Sequence, residues 1–139
     1  MTAPSRAFLE GLFRTAVAAA HPEGCLRPHL PAPPSGRLLV LAAGKAAGSM
    51  AEVAERHYVE ERGMPSGRIR GLAITRLGYG RPSRFVRVVE AGHPVPDAAG
   101  LAATAEALAL ADSAGRDDLV LVLVSGAAGR HRHFRRARG

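Results

Sequence analysis

The sequence predicts an α/β layered domain with a mainly parallel sheet, and three observations carry that prediction. The 139 residues suit one ordinary domain with a single core. Continuous apolar runs at Leu38–Leu41 and Leu119–Val124 read as strands buried on both faces. Between them, segments with helical spacing alternate with further short strand candidates, the pattern that builds a helix-covered parallel sheet.

From Arg6 to Ala20, Phe8, Leu9, Leu12, Phe13, Ala16 and Val17 recur at helical spacing, with Ser5 available as N-cap. His21-Pro22 stops this first helix, because proline disfavours helical geometry in the residue before it. Gly24, Pro28, Pro31, Pro33 and Pro34 then interrupt the chain up to Gly36, so this segment reads as an extended surface connection. The strand at Leu38–Leu41 is bounded by Gly36 and Gly44. A helix is expected from Lys45 to Arg62, carried by Ala47, Met50, Ala51, Val53, Ala54 and Tyr58 and ended by Gly63. Gly71–Thr75 and Phe85–Val89 are the next strands, separated by a loop rich in Gly, Pro and Arg. Asp97 can cap a helix over Ala98–Ala114, and Leu119–Val124 is the last and clearest strand. Together these make a Rossmann-like domain. Ligands of such sheets gather at the C-terminal ends of the strands. Three glycine-bearing turns stand there: Ala43-Gly44-Lys45, Ala91-Gly92-His93-Pro94 and Ser125-Gly126.

Composition excludes several classes. Hydrophobic residues make up 47% and aromatics only 4%, so the core is mostly Ala, Leu and Val. The apolar runs are far shorter than the roughly 20 residues a membrane-spanning helix requires. Met1–Glu10 lacks the basic start and unbroken apolar run of a secretion signal, and a cytoplasmic location is expected. The single Cys25 has no partner for an internal disulfide and reads as a small filler. Of the net charge of +7, five positive charges lie in Arg130, Arg132, Arg135, Arg136 and Arg138, leaving +2 for everything before them. The basic signal is therefore a tail. Such a run can hold phosphates without sequence preference, but it reads first as disordered or non-native sequence; a nucleic-acid partner is not expected, and could be held only through this tail.

Gly44-Lys45 follows a buried strand and opens a helix, aiming an ammonium group and backbone N–H groups at one point that attracts phosphate or carboxylate. The bland alternative is a helix start with a solvated lysine. It is not a Walker A loop, because Leu39 stands five residues before Gly44 and Ala46 replaces the required Ser or Thr. In Ala91-Gly92-His93-Pro94-Val95-Pro96-Asp97, two prolines stiffen a connection that can present His93, a group titrating near neutral pH, at the sheet edge. Equally, Asp97 can be merely a cap and His93 a residue packed on Pro94. Gly78-Tyr79-Gly80-Arg81-Pro82-Ser83 fails as a dinucleotide fingerprint: Ser83 replaces the third glycine and a strand follows where a helix is needed. No metal-ligand pattern appears, since His131 and His133 alternate with arginines.

Four segments resemble the MOFRL-associated glycerate kinases in order and spacing. They are Leu39–Ala47 (LVLAAGKAA), Glu90–Asp97 (EAGHPVPD), Asp118–Gly126 (DLVLVLVSG) and, in the first helix, Leu12–Val17 (LFRTAV). The resemblance covers about residues 5–126, with the Glu90–Asp97 segment its most specific element and the Gly-Lys turn its least. It implies an enzyme that uses ATP and Mg2+ to phosphorylate D-glycerate, usually at the 2-hydroxyl, to give 2-phosphoglycerate; some relatives carry the label hydroxypyruvate reductase. It also implies that Lys45 is catalytic and that Gly44, His93, Ser125 and Gly126 bind substrate or phosphate. That family continues after Ser125-Gly126 with more glycine, then serine, alanine and leucine, whereas this chain turns to arginine and histidine. The expectation is an N-terminal fragment with little or no activity alone: residues 1–126 from the kinase α/β domain, incomplete at its C-terminal side, a basic tail over 127–139 produced by reading-frame slippage, and no C-terminal MOFRL domain. The competing expectation is a small non-catalytic domain that binds a phosphorylated ligand or nucleic acid. A nicotinamide-dependent reductase is a third, and the missing fingerprint argues against it.

Overall fold

Four strands, β1 (Leu38–Ala43), β2 (Ile69–Arg76), β3 (Val86–Ala91) and β4 (Leu119–Val124), form one parallel sheet in the order β3-β2-β1-β4 in a computed structural model, which describes residues 4–126. The α/β class and the parallel sheet are as the sequence predicts. The helices are α1 (Arg6–Ala19), α2 (Pro22–Cys25), α3 (Ala47–Glu55) and α4 (Ala98–Asp112). None of the described helices is long and apolar enough to cross a membrane. The arginine tail, His131 and His133 lie outside the described residues.

The core sits between the sheet and α3. Leu38, Val40 and Ala42 of β1, Ile69 and Ala73 of β2, Val86 of β3 and Leu123 of β4 pack on Ala47, Met50, Ala51, Ala54 and Tyr58. The alanines let the helix approach the sheet closely, and the phenol buried in this layer is satisfied, because Tyr58 O–H donates to Pro31 O at 2.9 Å. Leu39 and Leu72 are buried on the other side, where α4 packs along β3 and β2. Right-handed crossovers in opposite directions place α3 and α4 on opposite faces.

The β2–β3 crossover spans only residues 77–85 and contains no helix. Parallel neighbours usually need a longer connection. Here Glu55, at the end of α3, anchors it from beneath: its carboxylate accepts the Ser83 hydroxyl and the N–H groups of Arg84 (3.1 Å), Phe85 (2.8 Å) and Val86 (2.7 Å).

Several elements depart from the sequence expectation. The Pro22–Gly36 segment is not extended throughout: α2 and a 3-10 turn at Arg27–His29 interrupt it. Pro22 occupies the first helical position, where its missing N–H costs nothing, and His21 Nδ1 accepts from Glu23 N at 3.3 Å. The expected Lys45–Arg62 helix starts later, at Ala47, and its last part, Arg56–Glu61, is π-helical. Uniform apolarity means two-sided burial for β1 but not for β4: Val122 is 63% and Val124 72% exposed. The apolar stripe of α1 is likewise open, with Phe13 69% exposed.

Candidate anion-binding site

The chain runs outward from β1 to β2 to β3, then crosses back through α4 to lay β4 on the other side of β1. Strand order therefore reverses between β1 and β4, and the crevice beyond their C-terminal ends is where such sheets bind ligands. Gly44-Lys45 and Ser125-Gly126 border that crevice, because Ala43 and Val124 are register partners.

The two turns are locked together. Gly44 adopts φ +106°, and a Cβ there would lie 2.2 Å from Ser125 O, so only glycine fits. Gly44 N donates to Ile74 O (3.0 Å) and Ser125 N to Ala43 O (2.9 Å). The Ser125 hydroxyl accepts the Ala46 N–H at 2.9 Å, supplying from 79 residues away the cap that Ala46 cannot give α3. Ala47 N donates to Gly44 O at 3.0 Å. The amides of Ala46 and Ala47 are thus already engaged, which corrects the expectation that the turn presents free N–H groups there. What faces solvent is the exposed Lys45 ammonium, the positive end of α3, and the exposed Gly126, where φ is +119° and a Cβ would meet nothing within 4 Å among the described residues.

His93 is exposed beyond β3, the edge strand, two strands from β1 and so roughly 10 Å away across the sheet. Its turn is fixed by Asp97, whose Oδ2 accepts Gly92 N and whose Oδ1 accepts Gly100 N, both at 2.8 Å. The cap expected of Asp97 is present. His93 does not join Gly44, Lys45, Ser125 and Gly126.

Two residues at this end escape a reading of the sequence that ends the second strand at Thr75. Arg76 is the last residue of β2, with its guanidinium 4.1 Å from the centre of the Tyr79 ring. Thr75 is 3% exposed, and its hydroxyl has no hydrogen-bond partner among the described residues. A strand-end arginine followed, after Leu77, by Gly78-Tyr79-Gly80 was the available signal for Arg76.

An ammonium, a helix N-terminus and a glycine turn fit the phosphate oxygens of a nucleotide. Mg2+ is usually held by one or two carboxylates together with substrate phosphates. Nearby Glu90 accepts Gly80 N and Asp97 caps α4, and no group of three or more His, Cys, Asp or Glu converges among the described residues. The described residues therefore fit the phosphates and not the metal.

Fold and site together define a Rossmann-like α/β protein with a lysine-bearing turn at the switch point of its sheet. The family model described as a domain of unknown function, DUF4147, matches residues 8–130, and the chain belongs to that family. It is 37% identical over 91 residues to a glycerate 2-kinase of Pyrococcus horikoshii, covering 66% of this chain and 19% of that protein. It is 35% identical over 122 residues to a putative hydroxypyruvate reductase of Agrobacterium vitis, covering 88% of this chain and 26% of the relative. The crystal structure of a glycerate kinase from Thermotoga maritima superposes with a TM-score of 0.64 at 30% identity, over 84% of this chain and 27% of that one. The chain thus spans about a quarter or less of the length of these relatives.

Proposed function

We propose that residues 1–126 contribute the phosphate corner of an ATP-dependent D-glycerate kinase, which moves a phosphoryl group to a glycerate hydroxyl to give 2-phosphoglycerate. The observation that carries this is the bond from Ala46 N to Ser125 Oγ, which ties the Lys45 turn to the Ser125-Gly126 turn at the switch point. Lys45 is the catalytic residue in this scheme, neutralising charge on the transferring group, and Gly44, Ser125 and Gly126 shape the phosphate cradle. Phosphoryl transfer is mainly positioning and charge neutralisation, which suits a fixed cation beside a helix N-terminus. His93, two strands away, lines the substrate side of the edge.

The name hydroxypyruvate reductase among the relatives raises hydride transfer as a second reading. The glycine-bearing loop after β2 leads into strand β3, not a helix, and so lacks the geometry that holds a dinucleotide pyrophosphate. The kinase names of the Pyrococcus and Thermotoga proteins favour phosphoryl transfer.

The described corner holds charge-neutralising groups and no base to take the glycerate proton, so binding without appreciable turnover is expected of this chain alone. A coupled assay with ATP, Mg2+ and D-glycerate, run beside a binding titration, tests this. Expected are background turnover and saturable binding that Lys45→Ala weakens about tenfold or more. Turnover that survives Lys45→Ala would contradict the proposal.

A further inference from the structure

Arg76 closes β2, the strand that separates the Lys45 turn from the His93 turn. In the β1–β2 register Ala43 pairs with Ile74, so Lys45 and Arg76 each stand two residues beyond a paired position. Gly44 N donates to Ile74 O at 3.0 Å, so the turn that carries Lys45 begins against β2 at the same sheet end that Arg76 closes. Arg76 is half-buried, and its guanidinium stacks 4.1 Å from the centre of the Tyr79 ring. Tyr79 N donates to Arg76 O at 3.1 Å, so the turn that carries the ring closes on Arg76 itself. Arg76 has no carboxylate partner among the described residues; Arg14, Arg62, Arg68, Arg70 and Arg116 share that, but of these only Arg76 closes a strand of the sheet. Stacking on a ring face leaves the in-plane N–H fork available, and that fork matches a carboxylate in two parallel hydrogen bonds. The Lys45 ammonium, a compact point charge, is matched to phosphoryl oxygens instead.

We propose that Arg76 is a binding residue for the carboxylate of a small hydroxy acid, standing beside the phosphoryl-facing Lys45. The inference rests on the role proposed above for Lys45, and it assigns the two cations to different ends of one substrate. Tyr79 is then a positioning residue that keeps the guanidinium flat.

The test is a set of NMR titrations of the full 139-residue chain with D-glycerate, with glycerol, which keeps the hydroxyls and lacks the carboxylate, and with inorganic phosphate. Saturable D-glycerate binding is expected, with no binding of glycerol. Arg76→Gln is expected to raise the D-glycerate Kd about tenfold and to leave phosphate within about twofold, the loss of one bidentate charge-assisted contact. Arg76→Lys, which keeps the charge and loses the fork, should fall between. Unchanged amide shifts at Leu38–Ala42 report that each variant keeps the fold. A D-glycerate Kd unaltered in both Arg76 variants, with the phosphate Kd raised by Lys45→Ala, overturns the assignment of Arg76 and leaves that of Lys45 standing. Equal weakening of D-glycerate and phosphate by Arg76→Gln overturns the carboxylate assignment. Failure of the unaltered chain to bind D-glycerate overturns the assignment of Arg76, and failure to bind phosphate overturns that of Lys45.

Discussion

Gly44 and Ser125 lock the turn after β1 to the turn after β4 by complementary contributions. Gly44 supplies a backbone angle and an empty Cβ position that Ser125 fills, and Ser125 supplies the hydroxyl that caps α3. Gly44→Ala forces a methyl against Ser125 O at a positive φ, so it should cost about 2 kcal/mol in urea unfolding and shift the Lys45 and Ala46 amides. A variant as stable as the parent would mean the turns are not locked. Thr75 offers the opposite case, a buried hydroxyl without a partner among the described residues. Thr75→Val removes an unsatisfied group at nearly constant shape and should stabilise the chain by about 1 kcal/mol, raising Tm by about 4 °C. A lower Tm would show that the hydroxyl has a partner in solution. At this scale the sequence is informative where chemistry is local: Ser5 and Asp97 are legible as caps because they bond three residues ahead. The cap from Ser125 to Ala46 is not legible, because it joins chain positions 79 residues apart.

Among the elements, α3 and the crossover after β2 depend on each other through Glu55. Burial pushes the Glu55 carboxyl up, and hydrogen bonds from the Ser83 hydroxyl and the Phe85, Arg84 and Val86 amides more than offset this, holding it below its ordinary value. Glu55→Ala strands these donors beneath a helix-free crossover, and a loss on the order of 3 kcal/mol in urea unfolding is expected. A loss under about 1 kcal/mol would place the anchor of the crossover elsewhere. The order of strands and long helices is legible in the sequence because each has its own hydrophobic period. The π-helical end of α3 is not, since it leaves the apolar stripe unchanged: Tyr58 stays fully buried. Nor is the difference between β1 and β4, whose composition is alike while only β1 has a neighbour on each side and helices over both faces.

For the molecule as a whole, the two ends of the sheet have different roles. At the N-terminal end, Asp118 accepts Arg37 Nη2 (2.7 Å), Arg37 Nε (3.0 Å) and Gly115 N (2.8 Å), binding the start of β4 to the segment before β1. Hydrogen bonds from the Arg37 guanidinium first, then from the Gly115 and Arg37 amides, hold the Asp118 carboxyl far below the usual carboxylate range. A carboxyl depressed in the folded state favours folding fully above its unfolded pKa, about 3.9 for Asp, and loses that contribution as pH falls toward its folded value. Glu55 acts in the same direction. Stability should therefore be level through neutral pH and decline below about pH 4, and Asp118→Asn should flatten that decline. An identical acid profile in Asp118→Asn would remove Asp118 from this account.

At the C-terminal end, Lys45 and the Ser125-Gly126 turn are proposed to form one anion site. The most direct measurement is an NMR titration of the unaltered chain and of Lys45→Ala with inorganic phosphate, following the backbone amides. Saturable shifts confined to Gly44–Gly48 and Ser125-Gly126, and lost in Lys45→Ala, are the predicted result. Shifts centred elsewhere, or the same shifts in Lys45→Ala, would contradict it.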